Sequence, residues 1–235
     1  MSMTTAVGST LERWAQARWF WAAMLLFRVW NALFVRTAFN PDEYWQSTEV
    51  AHRMVFGYGH LTWEWQDDAR LRGFAHPAVF ALLYKLLAIG GLDTRWAIAY
   101  GPRVLQGTLA VFNDYSLYHL GRVYFDRRVA TWALFCHIFS WFIFYVLVRP
   151  YSNSIETICT TAALAHWPWQ FLSSDRRRLL LQYVLPIATI TILLMLAIDF
   201  LGYGALTFVP LNFIKFNVLE VSAVHSSSRS HSGKE

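Results

Sequence analysis

The stretch LLLQYVLPIATITILLMLAIDFL, residues 179–201, decides what kind of protein this is. It is apolar on every helical face and long enough to cross the roughly 30 Å hydrocarbon core of a bilayer. Working back along the chain, residues 154–172 and 129–148 (VATWALFCHIFSWFIFYVLV) read as further spans, the former less apolar. Residues 96–120 are weakly apolar and carry Arg103, Asn113 and Asp114, and residues 76–92 (HPAVFALLYKLLAIGGL) form a short apolar run. Residues 17–39 (ARWFWAAMLLFRVWNALFVRTAF) are again long enough to cross, with tryptophans at their start that suit a membrane interface.

Composition agrees. The 235 residues are 56% hydrophobic and 17% aromatic, and the 15% of charged residues falls well below the roughly 25% of soluble domains. The net charge of +5 sits in short connecting segments, as topology signals do. No basic cluster interleaves with aromatics as a nucleic-acid groove requires. Cys136 and Cys159 fall inside apolar runs and read as packed thiols rather than a disulfide. No cleavable signal peptide is evident, because the first apolar run holds Arg28 and lacks a small-residue cleavage site. Residues 1–16 read as loose, and the low-complexity segment 222–235 reads as a disordered tail after a membrane unit 1–221.

Residues 121–128 (GRVYFDRR) and 173–178 (SSDRRR) hold three arginines each, which places both in the cytosol. Segment 40–75 holds six Asp or Glu against three Arg and suits the opposite side. Two full crossings between 76 and 120 conflict with this scheme. Either one of those segments does not span or the charge rule fails there.

The acidic segment begins AFNPDEYWQSTEVAH, residues 38–52. Asn40 is a good N-cap, Pro41 fits the first helical position, and acids in the first turn favour the helix dipole, so NPDE can be simply a helix start. At 3.6 residues per turn, Asp42, Gln46, Glu49 and Arg53 share a face, which borders either a cleft or solvent. In FGYGHLTWEWQDD, residues 56–68, Trp63 and Trp65 flank Glu64. Such a pattern serves as an interface anchor, or as a sugar site with rings for the apolar sugar face and an acid for its hydroxyls. Asp67 and Asp68 alone make a weak metal site, and His52, His60 and His76 lack metal-binding spacing. Arg28, Arg103, Asp114 and Glu156 lie in or beside apolar runs and are either functional or structurally paired. Ser152 or Asn153 can cap a helix with Glu156 completing a capping box.

NPDEYWQSTEVAHRMVFGYGHLTWEW resembles the first luminal loop of the dolichyl-phosphate-mannose-dependent mannosyltransferases of glycosyltransferase family 22. The form closest to it is that of the alpha-1,2-mannosyltransferases that add the third mannose to glycosylphosphatidylinositol (GPI) precursors. The resemblance continues through LRGFAHPAVFALLYKLL, GPRVLQGTLAVFNDYSLYHL, RPYSNSIET and VPLNFIKFN. It implies an all-α, multi-span GT-C membrane fold in the endoplasmic reticulum, with segment 40–75 as a luminal, helical catalytic loop. It implies transfer from a lipid-linked donor to a GPI glycolipid acceptor, with inversion, no cofactor and no nucleic-acid partner; no residue is assigned to a metal, and the metal requirement stays open.

By the same resemblance Asp42 is the base and Glu43 its helper or a sugar ligand. Tyr44, Gln46, Glu49, His52, Trp63, Glu64 and Trp65 line the substrate site, with Asn153 and Glu156 from RPYSNSIET. Arg72, Arg103 and Arg149 are candidates to receive the leaving phosphate. The chain departs from the family in having Asn40 in place of His and LRGFAHP in place of a more usual IRSYLHP. It also passes directly from SSDRRR to LLLQYVLP and ends soon after PLNFIKFN, where the family continues. The expectation is therefore the N-terminal half of such an enzyme. The alternatives are a non-catalytic short membrane form of it, or a sister enzyme of N-glycan precursor assembly. A transporter is disfavoured by the absence of a repeat.

Overall fold

The computed structural model describes residues 13–15, 17–169 and 175–220, and the described residues are helical with no strand. The expected loose N-terminus and disordered tail lie almost entirely outside the described residues, as does part of the 173–178 loop. The helices are α1 (Arg18–Phe34), α2 (Glu49–Phe56), α3 (Ala75–Ile89), α4 (Arg95–Tyr124) and α5 (Arg127–Ile138). They continue as α6 (Trp141–Val146), α7 (Ser152–His166), α8 (Arg176–Tyr203, with a π-helical turn at Leu180–Val184) and α9 (Val209–Ile214).

The 30-residue α4 is the axle, and α1, α5 and α7 pack around it. Two glycines permit that packing. A Cβ at Gly107 would stand 2.9 Å from the Arg28 carbonyl of α1, and one at Gly121 would stand 2.8 Å from Ala130 Cα of α5. Close backbone approach through small residues is how helices associate where lipid removes the hydrophobic drive. The α1–α4–α5 junction is sealed by a buried ion pair. Arg28 Nε and Nη2 donate to the two oxygens of Asp114 at 2.8 and 2.7 Å, and His137 Nε2 lies 3.1 Å from the same carboxylate. Arg28 and Asp114 are thus structural partners.

Pro102 lies inside α4 and has no N–H for the carbonyl four residues back. That carbonyl, Ile98, instead accepts from the Tyr84 hydroxyl of α3 at 3.1 Å. The defect in α4 thereby becomes a tether to α3.

Among the described residues one helix, α8, is both long and apolar enough to cross a membrane, whereas the sequence pointed to spans at 17–39, 129–148 and 154–172 as well. Its large side chains point outward: Leu193 is 60% exposed and Leu201 82%. A helix apolar all round with little protein cover suits lipid. The 15 residues of α3 reach only about 22 Å. The expected span 129–148 is two helices, because the chain leaves helical geometry at Phe139–Ser140. Cys136 and Cys159 are free and exposed, so they are not packed in the core as the apolar runs suggested. Each lies on the outer face of its helix.

Candidate active site

The acidic segment follows α1 and is held by two buried arginines. Arg103 of α4 donates to the Val35 carbonyl at 2.7 Å, and Arg149 donates to the Thr37 carbonyl at 2.6 Å. Asn40 Oδ1 accepts the Asp42 N–H at 3.1 Å, and the chain is helical from Asp42, as the NPDE pattern predicts. The neighbouring carboxylates then part company. Glu43 is 1% exposed. Its oxygens accept from Arg149 Nη1 at 2.9 and 3.1 Å, and Oε1 also accepts the Phe39 N–H. Asp42 is half-buried, and its carboxylate has no hydrogen bond or ion pair among the described residues. One acid is a buttress and the other is available.

Residues Tyr44–Thr48 form a π-helical turn, in which the Glu49 N–H bonds the Tyr44 carbonyl five residues back. The extra residue breaks the 3.6-residue phase that placed Asp42, Gln46, Glu49 and Arg53 on one face. Gln46 lines one cleft, of about 480 Å³, with Trp65, Arg72, His76 and Ser152. Tyr44, Glu49 and His52 line a different cleft of about 350 Å³, with Arg36, Tyr84 and Arg103. Gln46 and Glu49 of the predicted polar stripe therefore line different clefts, and Asp42 and Arg53 line neither of the two.

In the second cleft, Arg103 Nη2 donates to the Tyr44 hydroxyl at 3.1 Å. Glu49 accepts the His60 N–H at 2.9 Å, and His52 Nδ1 lies 3.1 Å from the Tyr58 carbonyl. These contacts fold the FGYGH turn back on α2, with Gly57 in the left-handed region at φ 80°. In the first cleft, Glu64 pairs with Arg72 at 2.7 Å. Trp65 is buried against Phe74 and donates to the Trp45 carbonyl, which makes it core rather than a sugar platform. Trp63 is 54% exposed beside Phe216.

Other candidates do not join these groups. Arg149 spends Nε, Nη1 and Nη2 on Tyr145, Thr37 and Glu43, and stacks on the Tyr145 ring. Asn153 and Glu156 are exposed on α7. The expected capping box there does not form: Tyr151 is the N-cap, and Ser152 Oγ donates to Asn153 Oδ1 instead.

The residue reading passed over Asp199. It is 5% exposed near the end of α8, and Oδ1 accepts the Phe74 N–H at the start of α3 at 2.7 Å. One turn on, the Tyr203 hydroxyl donates to the Arg72 carbonyl at 2.6 Å. Together they hold the segment carrying Arg72 against α8. A lone carboxylate inside an apolar span was the available signal.

A helical chain with a membrane-capable helix, and with an uncommitted carboxylate in the same segment as residues that line two clefts of mixed polar and apolar character, defines a candidate membrane enzyme. Residues 19–196 match the model of the Alg9-like mannosyltransferase family, and the chain belongs to that family. It is similar to Mannosyltransferase APTG1 of Arabidopsis thaliana, at 38% identity over 83% of this chain and 42% of that protein. It is also similar to GPI alpha-1,2-mannosyltransferase 3 of Homo sapiens, at 36% identity over 84% of this chain and 42% of that protein. To GPI mannosyltransferase 3 of Schizosaccharomyces pombe it is 43% identical, over 64% of this chain and 30% of that protein. The chain thus spans less than half the length of these curated relatives. No solved structure matches it. The resemblance read from the first-loop motif leads to this same family.

Proposed function

We propose that the chain transfers mannose from dolichyl-phosphate-mannose in alpha-1,2 linkage to a GPI precursor, as a multi-pass endoplasmic reticulum membrane protein of the GT-C type. The observation that carries this reading is the division of labour between Asp42 and Glu43, in a chain whose relatives bear the names above. A base must be ionised, within reach of a substrate and unspent on structure. Asp42 meets the last condition because Glu43 takes the buried arginine.

In the reaction, Asp42 accepts the proton of the acceptor hydroxyl as its oxygen forms a bond to the anomeric carbon. The bond from that carbon to the phosphate oxygen breaks, and dolichyl phosphate leaves with the electron pair. A single displacement inverts a beta donor to an alpha product. Positive charge or N–H donors lower the barrier by receiving the developing phosphate charge. Arg72, which borders the first cleft, is the residue assigned to this, whereas Arg103 and Arg149 hold the loop backbone.

Segment 40–75 then faces the lumen, with the arginine-rich loops in the cytosol. Complementation of cells lacking the third GPI mannosyltransferase tests the proposal. This chain is expected to restore surface GPI-anchored protein, and an Asp42→Asn version is not. If neither restores it while a full-length relative does, the chain is a non-catalytic membrane form.

A further inference from the structure

The α4–α5 hairpin turns within GRVYFDRRVA, residues 121–130, at the end of α4 away from the acidic segment. Phe125 is the C-cap of α4, and Asp126 caps α5 by accepting the Val129 N–H at 2.7 Å. The start of α1 joins this end. Trp21 Nε1 donates to the Ala15 carbonyl, and its ring packs on Tyr115 and Tyr118 of α4. Trp169, just past α7, meets Tyr124 edge-on at 5.2 Å.

The side chains that project from this turn do not suit water. Val123, Tyr124 and Phe125 are consecutive and exposed, Phe125 at 71%. Contiguous exposed apolar side chains mark an interaction surface. Arginines surround them: Arg18, Arg122, Arg127 and Arg128 are exposed and make no ion pair among the described residues. Asp126, the one carboxylate of the turn, spends Oδ1 on its cap.

Depth along the bundle decides what this surface meets. Arg103 of α4 donates to the Val35 carbonyl, so it marks the level of the acidic segment. Phe125 lies about 33 Å further along the helix at 1.5 Å per residue. The hydrocarbon core of a bilayer is about 30 Å thick. With the acidic segment at one face of the membrane, the turn reaches the opposite headgroup layer and goes no deeper into water. On the proposed function this is the cytosolic leaflet, whose surface is negative.

We infer that the α4–α5 turn docks on anionic phospholipid. Residues 123–125 dip into the headgroup layer, and Arg18, Arg122, Arg127 and Arg128 hold headgroup phosphates and carboxylates around them. A lipid surface fits because the apolar tip and the cations share one depth, where headgroup charge meets acyl chain. This rests on the multi-pass reading given under the proposed function. Interfacial anchors set the depth and tilt of a helix. Here the anchored helix is α4, whose Arg103 holds the acidic segment at its other end.

The test uses the 235-residue chain with Cys136→Ser, Cys159→Ser and Phe125→Cys, and a polarity-sensitive dye on the new thiol. It is placed in nanodiscs of phosphatidylcholine, with or without phosphatidylserine, that carry a nitroxide high on the acyl chain. A blue shift and nitroxide quenching are expected with phosphatidylserine, and weaker quenching without it. Arg127→Gln is expected to raise the phosphatidylserine fraction needed for half-quenching about fivefold, since one basic group near an anionic surface contributes about 1 kcal/mol. Arg127→Lys keeps the charge and is expected to leave that fraction nearly unchanged, which separates lipid attraction from misfolding.

Equal quenching in the two nanodiscs, a dye in water in both, or equal losses for the Gln and Lys variants overturns the inference. A blue shift without nitroxide quenching means that protein covers the turn, and overturns it too. Complementation that succeeds without any lipid-charge dependence keeps the proposed function and removes this surface. Failed complementation with the expected quenching does the reverse.

Discussion

At the scale of single residues, adjacent carboxylates have opposite tasks because their surroundings differ. Glu43 is desolvated and depends on Arg149. Removing one member of a buried pair strands the other charge and costs about 3–5 kcal/mol. Glu43→Gln or Arg149→Met is therefore expected to lower the thermal unfolding temperature in detergent sharply. The double replacement Glu43→Leu with Arg149→Met is expected to recover much of the loss. Asp42→Asn touches no partner, so its stability should stay within about 0.5 kcal/mol of the parent while transfer is lost. A thermal melt run beside the complementation assay checks both, and a collapsed melt for Asp42→Asn would make it a structural residue.

At the scale of elements, two departures from ideal helix geometry do most to shape the site. The π-helical turn at Tyr44–Thr48 distributes a single polar segment between two clefts. Pro102 frees a carbonyl that α3 captures through Tyr84. Leaving that carbonyl unsatisfied costs about 1–3 kcal/mol, so Tyr84→Phe is expected to destabilise by this amount. In a Pro102→Ala background the new N–H serves Ile98 and the cost of Tyr84→Phe should shrink. A double-mutant cycle by chemical denaturation reads this directly, and additivity would dissolve the tether. The join of α8 to the loop has its own probe. A Cβ at Gly202 would overlap the Phe74 ring, so Gly202→Ala is expected to cost about 1–3 kcal/mol by overpacking. It also displaces the wall that carries Arg72, which limited proteolysis of segment 66–74 would reveal.

At the scale of the whole molecule, a bundle around α4 holds the acidic segment at one end, and α8 joins it through Asp199 and Tyr203. On the proposed function, that end faces the lumen. A glycosylation acceptor sequence introduced at the exposed Gln66–Asp68 turn is expected to be modified in microsomes, and one placed in 121–128 is not. Modification of the second site alone would invert the orientation.

Much of this was legible in the chain itself. The run 179–201 was legible as a membrane-capable helix because length and unbroken apolarity are local properties of the sequence, whereas the other apolar runs form helices that are shorter or less apolar. The NPDE helix start was legible for the same reason, since capping involves only neighbours in sequence. The first-loop motif was sufficient for the family. Tertiary structure alone decided which acid stays free, because Arg149 reaches Glu43 from 106 positions away. It alone showed that Arg103 and Arg149 hold backbone, that Trp65 is core, and that Asp199 anchors α3. Periodicity also could not register a π-helical turn, because one inserted residue shifts every later side chain while leaving the composition unchanged. Short-range rules specify elements, and the partners of buried charges are chosen by the packing of those elements.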